Sequence, residues 1–341
     1  MDSSMTLNRA VRLAQRPIGA PTTGTWTVDE EPIPAIGDRQ FLVRIDLVSL
    51  DPAMRGWMDD RPSYMPPVAV GEVMRAGAVG TIVKSSHPRF REGAVVQGLF
   101  GAQHYAVSNG AGVTPVDPTL GTPAMYLGVL GSTGLTAYFG LLEHGTPRPG
   151  ETVVVSAAAG AVGSVVGQIA RIAGCRTVGL AGGPDKCKLL TERLGYDVAI
   201  DYRTVSLRHA FAEHCPDGMD VFFDNVGGAI LNAALANLAM HARVVICGAI
   251  AQYNEREAPP GPSNYWRLLV NRATMTGFLV FDYLSEHATA RRRLAEWVRS
   301  GQIHAPDTVV PGSLDDFQDI FSRLFTGASV GKLVLDISGR P

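Results

Sequence analysis

A run of small residues between a strand pattern and a helix pattern constrains the fold more than any other segment. Glu151–Ser156 is rich in valine and predicts a buried strand, and a helical pattern continues to Arg171. Ala157–Gly163 connects the two and has glycine at Gly160 and Gly163. Glycine lets a backbone approach a pyrophosphate, and the helix that follows presents unpaired N–H groups to an anion. The segment predicts a dinucleotide-binding turn, and plain packing of strand on helix is the alternative.

Strand and helix patterns alternate after this turn. Strands are predicted at Arg176–Leu180, Asp197–Ile200, Met219–Phe223, Arg243–Cys247 and Thr274–Val280. Helices are predicted at Lys186–Leu194 and Leu231–Met240. This alternation predicts an α/β fold with a doubly wound parallel sheet, whose ligands bind at the carboxyl ends of the strands.

The two ends of the chain have a different pattern. Short β patterns in the first third predict a small, irregular, mostly β domain; they lie at Gln40–Leu50, Gly80–Lys84 and Gly93–Phe100. The tail is expected to fold back onto that domain, with helices at Arg291–Ser300 and Leu314–Phe325 and a last strand at Gly331–Ile337.

Composition narrows the class of partner and compartment. The formal net charge is −2, so nothing points to nucleic acid or to an anionic membrane. Met1–Gln15 lacks the apolar run of a signal peptide, and no apolar stretch reaches membrane-spanning length. The four cysteines are scattered, which is typical of reduced thiols in a cytoplasmic protein: Cys175, Cys187, Cys215 and Cys247.

The end of the second strand indicates which dinucleotide is bound. NAD-binding proteins usually place an acid there, but this strand ends in glycines that include Gly182. Lys186 and the pair Tyr202-Arg203 follow, and a cation beside an open turn suits a 2′-phosphate, which favours NADP(H). Asp185 is a rival that could contact a ribose, although we interpret it as a helix N-cap. Lys186 could also be an ordinary surface lysine.

Metal chemistry is not expected. A catalytic zinc needs three Cys, His or acidic ligands and an open position. The first 130 residues contain no cysteine, and their only histidines, His87 and His104, have no partner at metal-ligand spacing.

Longer motifs resemble one family of reductases along almost the whole chain. They are Asp51–Gly56, Leu135–Leu142, Val155–Ala170, Asn225–Gly228, Cys247–Asn254 and Gly331-Lys332. In these motifs the chain is similar to the zinc-independent medium-chain dehydrogenases/reductases, in particular the group of prostaglandin reductase, leukotriene B4 12-hydroxydehydrogenase, curcumin reductase and alkenal double-bond reductase.

The resemblance implies a fold, an assembly and a reaction. It implies a GroES-like substrate domain at 1–128, a Rossmann NADP-binding domain at 129–300 and a return to the first domain at 301–341. It also implies a homodimer. The implied reaction is NADPH-dependent reduction of the carbon–carbon double bond of an α,β-unsaturated ketone or aldehyde, a small-molecule substrate.

The family's catalytic positions fall on three residues here. Tyr253 matches a tyrosine near the nicotinamide ribose and would stabilise the enolate, unless it only packs in its loop. Tyr64 matches a second tyrosine in the first domain, with a surface loop as the alternative. Arg55 either holds an acidic substrate tail or pairs within the fold.

The resemblance and the glycine turn together assign cofactor contacts. The residues are Ala157, Gly160, Ala161, Val162, Gly163, Gly182, Lys186, Tyr202, Asn225, Cys247, Tyr253, Phe278, Val280 and Ser329. Asn225 could instead serve a tight turn before Gly227 and Gly228. Ser329 stands where the family often has Asn, and Ser132-Thr133 stands where it often has Met-Pro, so these departures leave the fine contacts open.

Two other functions remain open. One is metal-free reduction of a carbonyl or quinone in the same cleft. The other is NADPH binding without catalysis.

Overall fold

The computed structural model describes residues 7–257 and 259–339, so the first six residues of the segment without a signal-peptide pattern lie outside the described part. The chain divides into two compact units. The first combines Met1–Leu127 with Asp307–Pro341, and the second is Gly128–Pro306.

The elements follow one another in this order along the chain. The strands are β1 Leu7–Leu13, β2 Trp26–Pro32, β3 Phe41–Leu50, β4 Ala78–Ser85, β5 Val95–Gly98, β6 Tyr105–Ser108, β7 Thr114–Pro115, β8 Thr152–Val155, β9 Arg176–Ala181, β10 Val198–Asp201, β11 Met219–Asp224, β12 Leu238–Ile246, β13 Thr274–Gly277, β14 Asp307–Pro311 and β15 Lys332–Asp336. The helices are α1 Ala53–Trp57, α2 Ser132–Phe139, α3 Gly163–Ile172, α4 Pro184–Glu192, α5 Leu207–His214, α6 Gly228–Leu235, α7 Arg267–Asn271, α8 His287–Arg299 and α9 Phe317–Thr326.

The second unit is built on a parallel sheet. Its strand order is β10-β9-β8-β11-β12-β13, and each neighbouring pair is parallel. The chain goes outward from β8 to β10 and then restarts at β11 on the other side of β8. This is the strand order of the doubly wound Rossmann fold, with its switch point between β8 and β11. The predicted α/β fold class is confirmed in this unit.

The first unit is mostly β and uses both ends of the chain. Its larger sheet has the order β14-β15-β3-β4-β5-β7, with β6 paired to β3, and β1 pairs with β2 in a separate ladder. The late strand β15 lies between β14 and β3. Through β15 the tail thus returns to the sheet of the first unit, while the domain bounds 1–128, 129–300 and 301–341 stay a prediction.

A buried lysine fixes that return. Lys332 begins β15 and is 2% exposed. Its Nζ donates to the Leu50 carbonyl at 2.8 Å and to Asp51 Oδ1 at 2.5 Å. A buried ammonium is tolerated only when paired and hydrogen-bonded, so these contacts define the position of β15 against the end of β3.

Two predicted boundaries are wrong. The helix predicted at Leu231–Met240 ends at Leu235, because Leu238 already pairs with Met219 of β11. Tertiary pairing overrides the helix propensity of this alanine- and leucine-rich segment. The strand predicted at Thr274–Val280 ends at Gly277, since a 3₁₀ turn begins at Val280.

Among residues 7–257 and 259–339, none of the helices is long and apolar enough to cross a membrane.

A notch on α3, formed at Gly167, lets the ring of Tyr196 pack directly against that helix. Tyr196 is buried, and its hydroxyl donates to the Gly163 carbonyl in the first turn of α3 at 2.7 Å. Gly167 lies one turn later, and a Cβ built on it would be 2.0 Å from Tyr196 Cζ. Burial raises the pKa of the Tyr196 phenol, which remains neutral in this contact. Only glycine fits at position 167 while the tyrosine keeps its place.

We expect Gly167→Ala to lower the free energy of unfolding by about 1–3 kcal/mol, because the new methyl group must displace a buried aromatic ring. Thermal and urea unfolding followed by circular dichroism measure this loss. Gly56→Ala is the control: Gly56 lies in α1 and its Cβ would meet nothing within 4 Å. Equal unfolding midpoints for Gly167→Ala and the wild type would contradict this account of the notch.

Candidate functional site

The small-residue turn lies at the carboxyl end of β8. Ala157 has a φ of 48°, and its carbonyl accepts the Gly160 N–H at 2.9 Å. The Ala158 N–H donates to the Leu180 carbonyl at 2.9 Å, which ties the turn to β9. A Cβ on Gly163 would lie 2.4 Å from the Ala157 oxygen, so the first turn of α3 packs directly on the backbone of the loop. Ala161 and Val162 connect the turn to the N-terminus of α3.

A buried carboxylate joins the turn to the neighbouring strand. Asp224 ends β11 and is 1% exposed. Its Oδ1 accepts the Ser156 hydroxyl at 2.8 Å and the Val226 N–H at 2.9 Å, and both of its oxygens lie 3.1 Å from the Gly227 nitrogen. Burial raises the pKa of Asp224, while these hydrogen bonds oppose the rise. The carboxylate thus links the end of β8 to the turn after β11 at the switch point.

Asn225 spans the same gap with its side chain. Its Nδ2 donates to the Ser156 carbonyl, and its backbone N–H donates to the Ser156 hydroxyl, both at 2.8 Å. The amide therefore links the ends of β8 and β11, in addition to occupying the tight turn before Gly227. The sequence left two roles open for Asn225, a contact with the cofactor or a place in a tight turn. This geometry is compatible with both roles.

The loop after β12 is fastened to the same turn. The Asp224 carbonyl accepts the N–H groups of Cys247 at 2.8 Å and Gly248 at 3.1 Å. The Asn225 carbonyl accepts the Ile250 N–H at 3.2 Å. Burial, followed by the nearby Asp224, raises the pKa of the Cys247 thiol to about 12, so this cysteine is held as a neutral thiol.

Tyr253 follows the 3₁₀ turn of this loop. Its hydroxyl oxygen accepts the Ala249 N–H at 3.2 Å. A Cβ on Gly248 would lie 3.2 Å from the same oxygen. The phenol is thereby placed at the carboxyl edge of the sheet, in the loop that is bound to Asn225.

A second cluster lies on the other side of the switch point, at the ends of β9 and β10. A Cβ on Gly182 would lie 2.7 Å from Arg203 Nε and 2.9 Å from the Tyr202 hydroxyl. Lys186 is half-buried on α4, and its pKa is lowered first by burial and then by the positive charge of Arg203. Among the described residues, neither Lys186 nor Arg203 forms a salt bridge. The Asp201 carboxylate lies beside this cluster: its pKa is lowered first by the Gly183 and Arg203 N–H groups that donate to it and further by the charge of Arg203. Lys186 and Arg203 around Gly182 together form a candidate site for an anion.

The predicted N-cap role of Asp185 is wrong. α4 begins at Pro184 with Gly183 in the N-cap position, and no side chain caps it. Proline suits the first helical position because its missing N–H would be unpaired there anyway. Asp185 lies in the first turn, where a negative charge is favourable beside the helix dipole.

Aromatic and histidine side chains hold the segment after β13. Phe278 stacks on His144 with a centroid distance of 5.1 Å. His287 Nε2 lies 2.9 Å from the Val280 carbonyl oxygen, and since that oxygen can only accept, Nε2 carries the proton. This segment is therefore fixed through both a side chain and a backbone carbonyl.

The proposed site residues of the first unit have partners within that unit. Arg55 is 3% exposed and donates to the Gly19 carbonyl at 2.9 Å, to Asp59 at 2.5 Å and to the Pro17 carbonyl at 3.2 Å. All three guanidinium nitrogens are thus engaged. Of the two alternatives for Arg55, these contacts support pairing within the fold rather than capture of an acidic substrate tail.

Tyr64 and Ser329 also belong to the first unit. Tyr64 is 46% exposed, and its hydroxyl accepts the indole N–H of Trp57 at 3.0 Å. Ser329 lies between α9 and β15 and is partly buried. Tyr64 is therefore an exposed side chain whose hydroxyl oxygen is oriented.

In the part of the chain that the structure describes, no group of three or more His, Cys, Asp or Glu residues could hold a metal ion. The four cysteines are free, as predicted.

The sequence analysis missed the roles of Asp224 and Tyr196. One signal for Asp224 was present, since an acid closes the apolar strand Met219–Phe223 directly before Asn-Val-Gly-Gly. Tyr196 gives no such signal, because its partner Gly163 is distant in sequence.

Comparison with known proteins gives two matching family models. One is described as the N-terminal domain of oxidoreductase and matches residues 9–116. The other is described as zinc-binding dehydrogenase and matches residues 161–298. The second range lies in the Rossmann unit, and the fold class of a GroES-like β domain plus a Rossmann domain is confirmed.

Several relatives match nearly the whole chain. NADPH-dependent curcumin reductase of Escherichia coli is 40% identical, over 97% of both chains. Prostaglandin reductase 1 of Mus musculus is 37% identical, over 93% of this chain and 95% of that protein. The crystal structure of CurA from Vibrio vulnificus in complex with NADPH is 38% identical, with a TM-score of 0.91 over 98% of this chain and 100% of that chain.

Proposed function

This chain belongs to the zinc-independent medium-chain dehydrogenase/reductase group of the curcumin and prostaglandin reductases, and from that premise we propose that it is an NADPH-dependent reductase of α,β-unsaturated ketones or aldehydes. The observation that carries the proposal is the placement of a dinucleotide turn and Tyr253 at one edge of the Rossmann sheet. Two of the relatives named above are reductases by name, and the CurA structure holds NADPH, which supports the proposal.

The cation cluster fits the 2′-phosphate of NADP(H). Because Gly182 has no Cβ, the side chains of Arg203 and Tyr202 lie directly against it, and the charges of Lys186 and Arg203 repel each other there. A dianionic phosphate would relieve that repulsion and accept charge-assisted hydrogen bonds from both residues and from Tyr202. The N-terminus of α3 then suits the pyrophosphate. Asn225, Cys247, Phe278, Val280 and Ser329 remain proposed contacts.

The proposed chemistry requires a donor where charge develops. NADPH, when bound, supplies the hydride that adds to the β-carbon of the substrate. Negative charge then develops on the substrate carbonyl oxygen, which becomes an enolate oxygen, and a proton from water adds to the α-carbon to give the saturated product. We assign Tyr253 to donate to that oxygen, since a donor aimed there stabilises the transition state more than the ground state. Its loop holds it through Ala249 and Asn225, so little reorganisation is needed. Tyr64 is proposed as a second substrate-facing phenol.

We expect the purified protein to oxidise NADPH when enones are added, and Tyr253→Phe to lower kcat by about 100-fold through the loss of an enolate donor. Loss of NADPH absorbance measures the rate, and product analysis identifies a saturated ketone. Tyr138→Phe is the control, since Tyr138 lies on α2 and packs its ring against Phe139 and Trp297.

Two results would count against double-bond reduction. An allylic alcohol as the product would indicate carbonyl reduction instead. Binding of NADPH without turnover of any enone or quinone would indicate a binding protein.

We expect Lys186→Ala to weaken NADPH binding by about 10- to 100-fold and to leave NADH binding unchanged, because only NADPH carries the 2′-phosphate. Fluorescence titration of both cofactors gives the two dissociation constants. Lys188→Ala is matched in chemistry and helix, but Lys188 is 69% exposed and lies 3.9 Å from Glu192, so its removal should change neither constant. A parallel loss of NADH and NADPH affinity in Lys186→Ala would contradict the phosphate assignment.

We also propose that the protein is a homodimer through the β13 edge. β13 is the last strand of its sheet, and a second copy can extend such an edge with unpaired backbone groups. Large apolar side chains are exposed along the same segment: Tyr265 66%, Trp266 51%, Leu269 80%, Met275 39% and Leu284 65%. Exposed apolar surface beside a strand edge is typical of an interface.

We expect sedimentation equilibrium to give twice the monomer mass for the wild type, and a shift toward monomer for the double variant Leu269→Lys with Met275→Lys, because burying two ammonium groups in the interface is costly. Val70→Lys is the control, since Val70 is 58% exposed in the first unit. A monomeric wild type at micromolar concentration would contradict the proposed dimer.

A further inference from the structure

The residue after Tyr253 carries an unsatisfied buried atom. Asn254 Oδ1 is inaccessible to solvent and accepts no hydrogen bond from any described residue. A buried carbonyl without a donor costs about 1–3 kcal/mol, so such atoms are rare unless a ligand or water supplies the donor. This acceptor lies in the loop that also carries the proposed enolate donor.

The loop fixes Asn254 in place. The Ala251 N–H donates to the Val226 carbonyl at 3.2 Å, and the Glu255 N–H donates to the Gln252 carbonyl at 3.2 Å. These bonds bracket Asn254 on both sides and attach its loop to the turn after β11. The backbone that carries the unpaired oxygen is therefore held in the loop at the carboxyl edge of the sheet.

The sheet topology indicates which end of a dinucleotide this atom would meet. Lys186 and Arg203 follow β9 and β10, on one side of the switch point. Asn254 follows β12, on the other side. A dinucleotide bound across the switch point, with its 2′-phosphate at the cations, brings its nicotinamide half to the β12 side.

We propose, on the basis of the NADPH-binding function proposed above, that Asn254 Oδ1 accepts a hydrogen bond from the nicotinamide nucleoside half of the cofactor. The donor must be an N–H or O–H group. A simple enone has neither, and the phosphates only accept. The nicotinamide half offers the carboxamide N–H groups and the ribose hydroxyls. Asn254 is thus a binding residue that orients the reactive half of the cofactor beside Tyr253.

The chain contains a matched control. Asn264 Oδ1 is also buried without a partner, but Asn264 Nδ2 donates to the Asn232 carbonyl at 2.8 Å. Asn264 is thus committed to a contact between loop and helix. If any unsatisfied asparagine affected cofactor binding through the fold, both residues would do so.

The test compares NADPH with 2′,5′-ADP, which has the 2′-phosphate and adenosine but no nicotinamide. Dissociation constants are measured by fluorescence and calorimetric titration for the wild type, Asn254→Ala and Asn264→Ala. We expect Asn254→Ala to weaken NADPH binding by about 3- to 10-fold and to bind 2′,5′-ADP like the wild type. Asn264→Ala should bind both ligands like the wild type.

The outcomes separate this inference from the proposed function. Wild-type NADPH affinity in Asn254→Ala would overturn the inference alone. Equal weakening of NADPH and 2′,5′-ADP would also overturn it, because the effect would then not be confined to the nicotinamide half. A wild-type protein that binds neither ligand would overturn the proposed function itself. Normal 2′,5′-ADP binding shows in each variant that the unit is folded.

Discussion

The buried carboxylate of Asp224 is the interaction on which the arrangement of the second unit depends. A charge at this depth is stable only because a hydroxyl and two backbone N–H groups donate to it. Those donors come from the end of β8 and from the turn after β11, while the Asp224 carbonyl receives the loop after β12. One residue therefore sets the spacing of three loops at the carboxyl edge. The proposed function places its dinucleotide turn and its phenol in those loops.

As a result of this arrangement, charged and neutral side chains lie on opposite sides of the switch point. Positive charge lies beyond β9 and β10, where Lys186 and Arg203 surround Gly182. Neutral hydrogen-bonding groups lie beyond β11 and β12, where Asn225 and Tyr253 contact backbone groups and Asn254 Oδ1 has no partner among the described residues. A ligand that is anionic at one end and carries amide and hydroxyl groups at the other matches both sides. The order of the strands, rather than any single side chain, brings these two kinds of surface to one edge.

Much of the second unit could be predicted from the sequence because its central strands β8, β9 and β11 are almost wholly buried and appear as continuous apolar runs. The strands of the first unit alternate with charged residues, as in Trp26–Pro32, and the sequence analysis did not identify β1, β2 or β14. The boundary between α6 and β12 also failed, since pairing with Met219 decides it and not local propensity. In both cases the deciding contacts are distant in sequence.

The candidate site could also be predicted only in part, because contacts between residues distant in sequence decide its geometry. Lys186, Tyr202 and Asn225 could be proposed from their places after strands, but the orientation of Asn225 depends on Ser156, a residue distant along the chain. Arg55 is a charged residue in a family motif, and only its burial shows that its own fold occupies it. The sequence pattern reveals which residues lie at the edge of a sheet. Their hydrogen-bond partners in the fold determine which further contacts those residues can make.

The position of β15 has a consequence for the order in which the protein is made. β3 cannot pair with β15, nor Asp51 with Lys332, until residues 332–336 have left the ribosome. The second unit, by contrast, is contiguous in the chain and is complete before β15 is synthesised. A nascent chain therefore contains a whole Rossmann unit while the Leu47–Leu50 end of β3, beyond the part that pairs with β6, still lacks β15, and that strand edge is a site for association with other chains. Molecular chaperones that shield strand edges have their longest opportunity to act on this part of the protein.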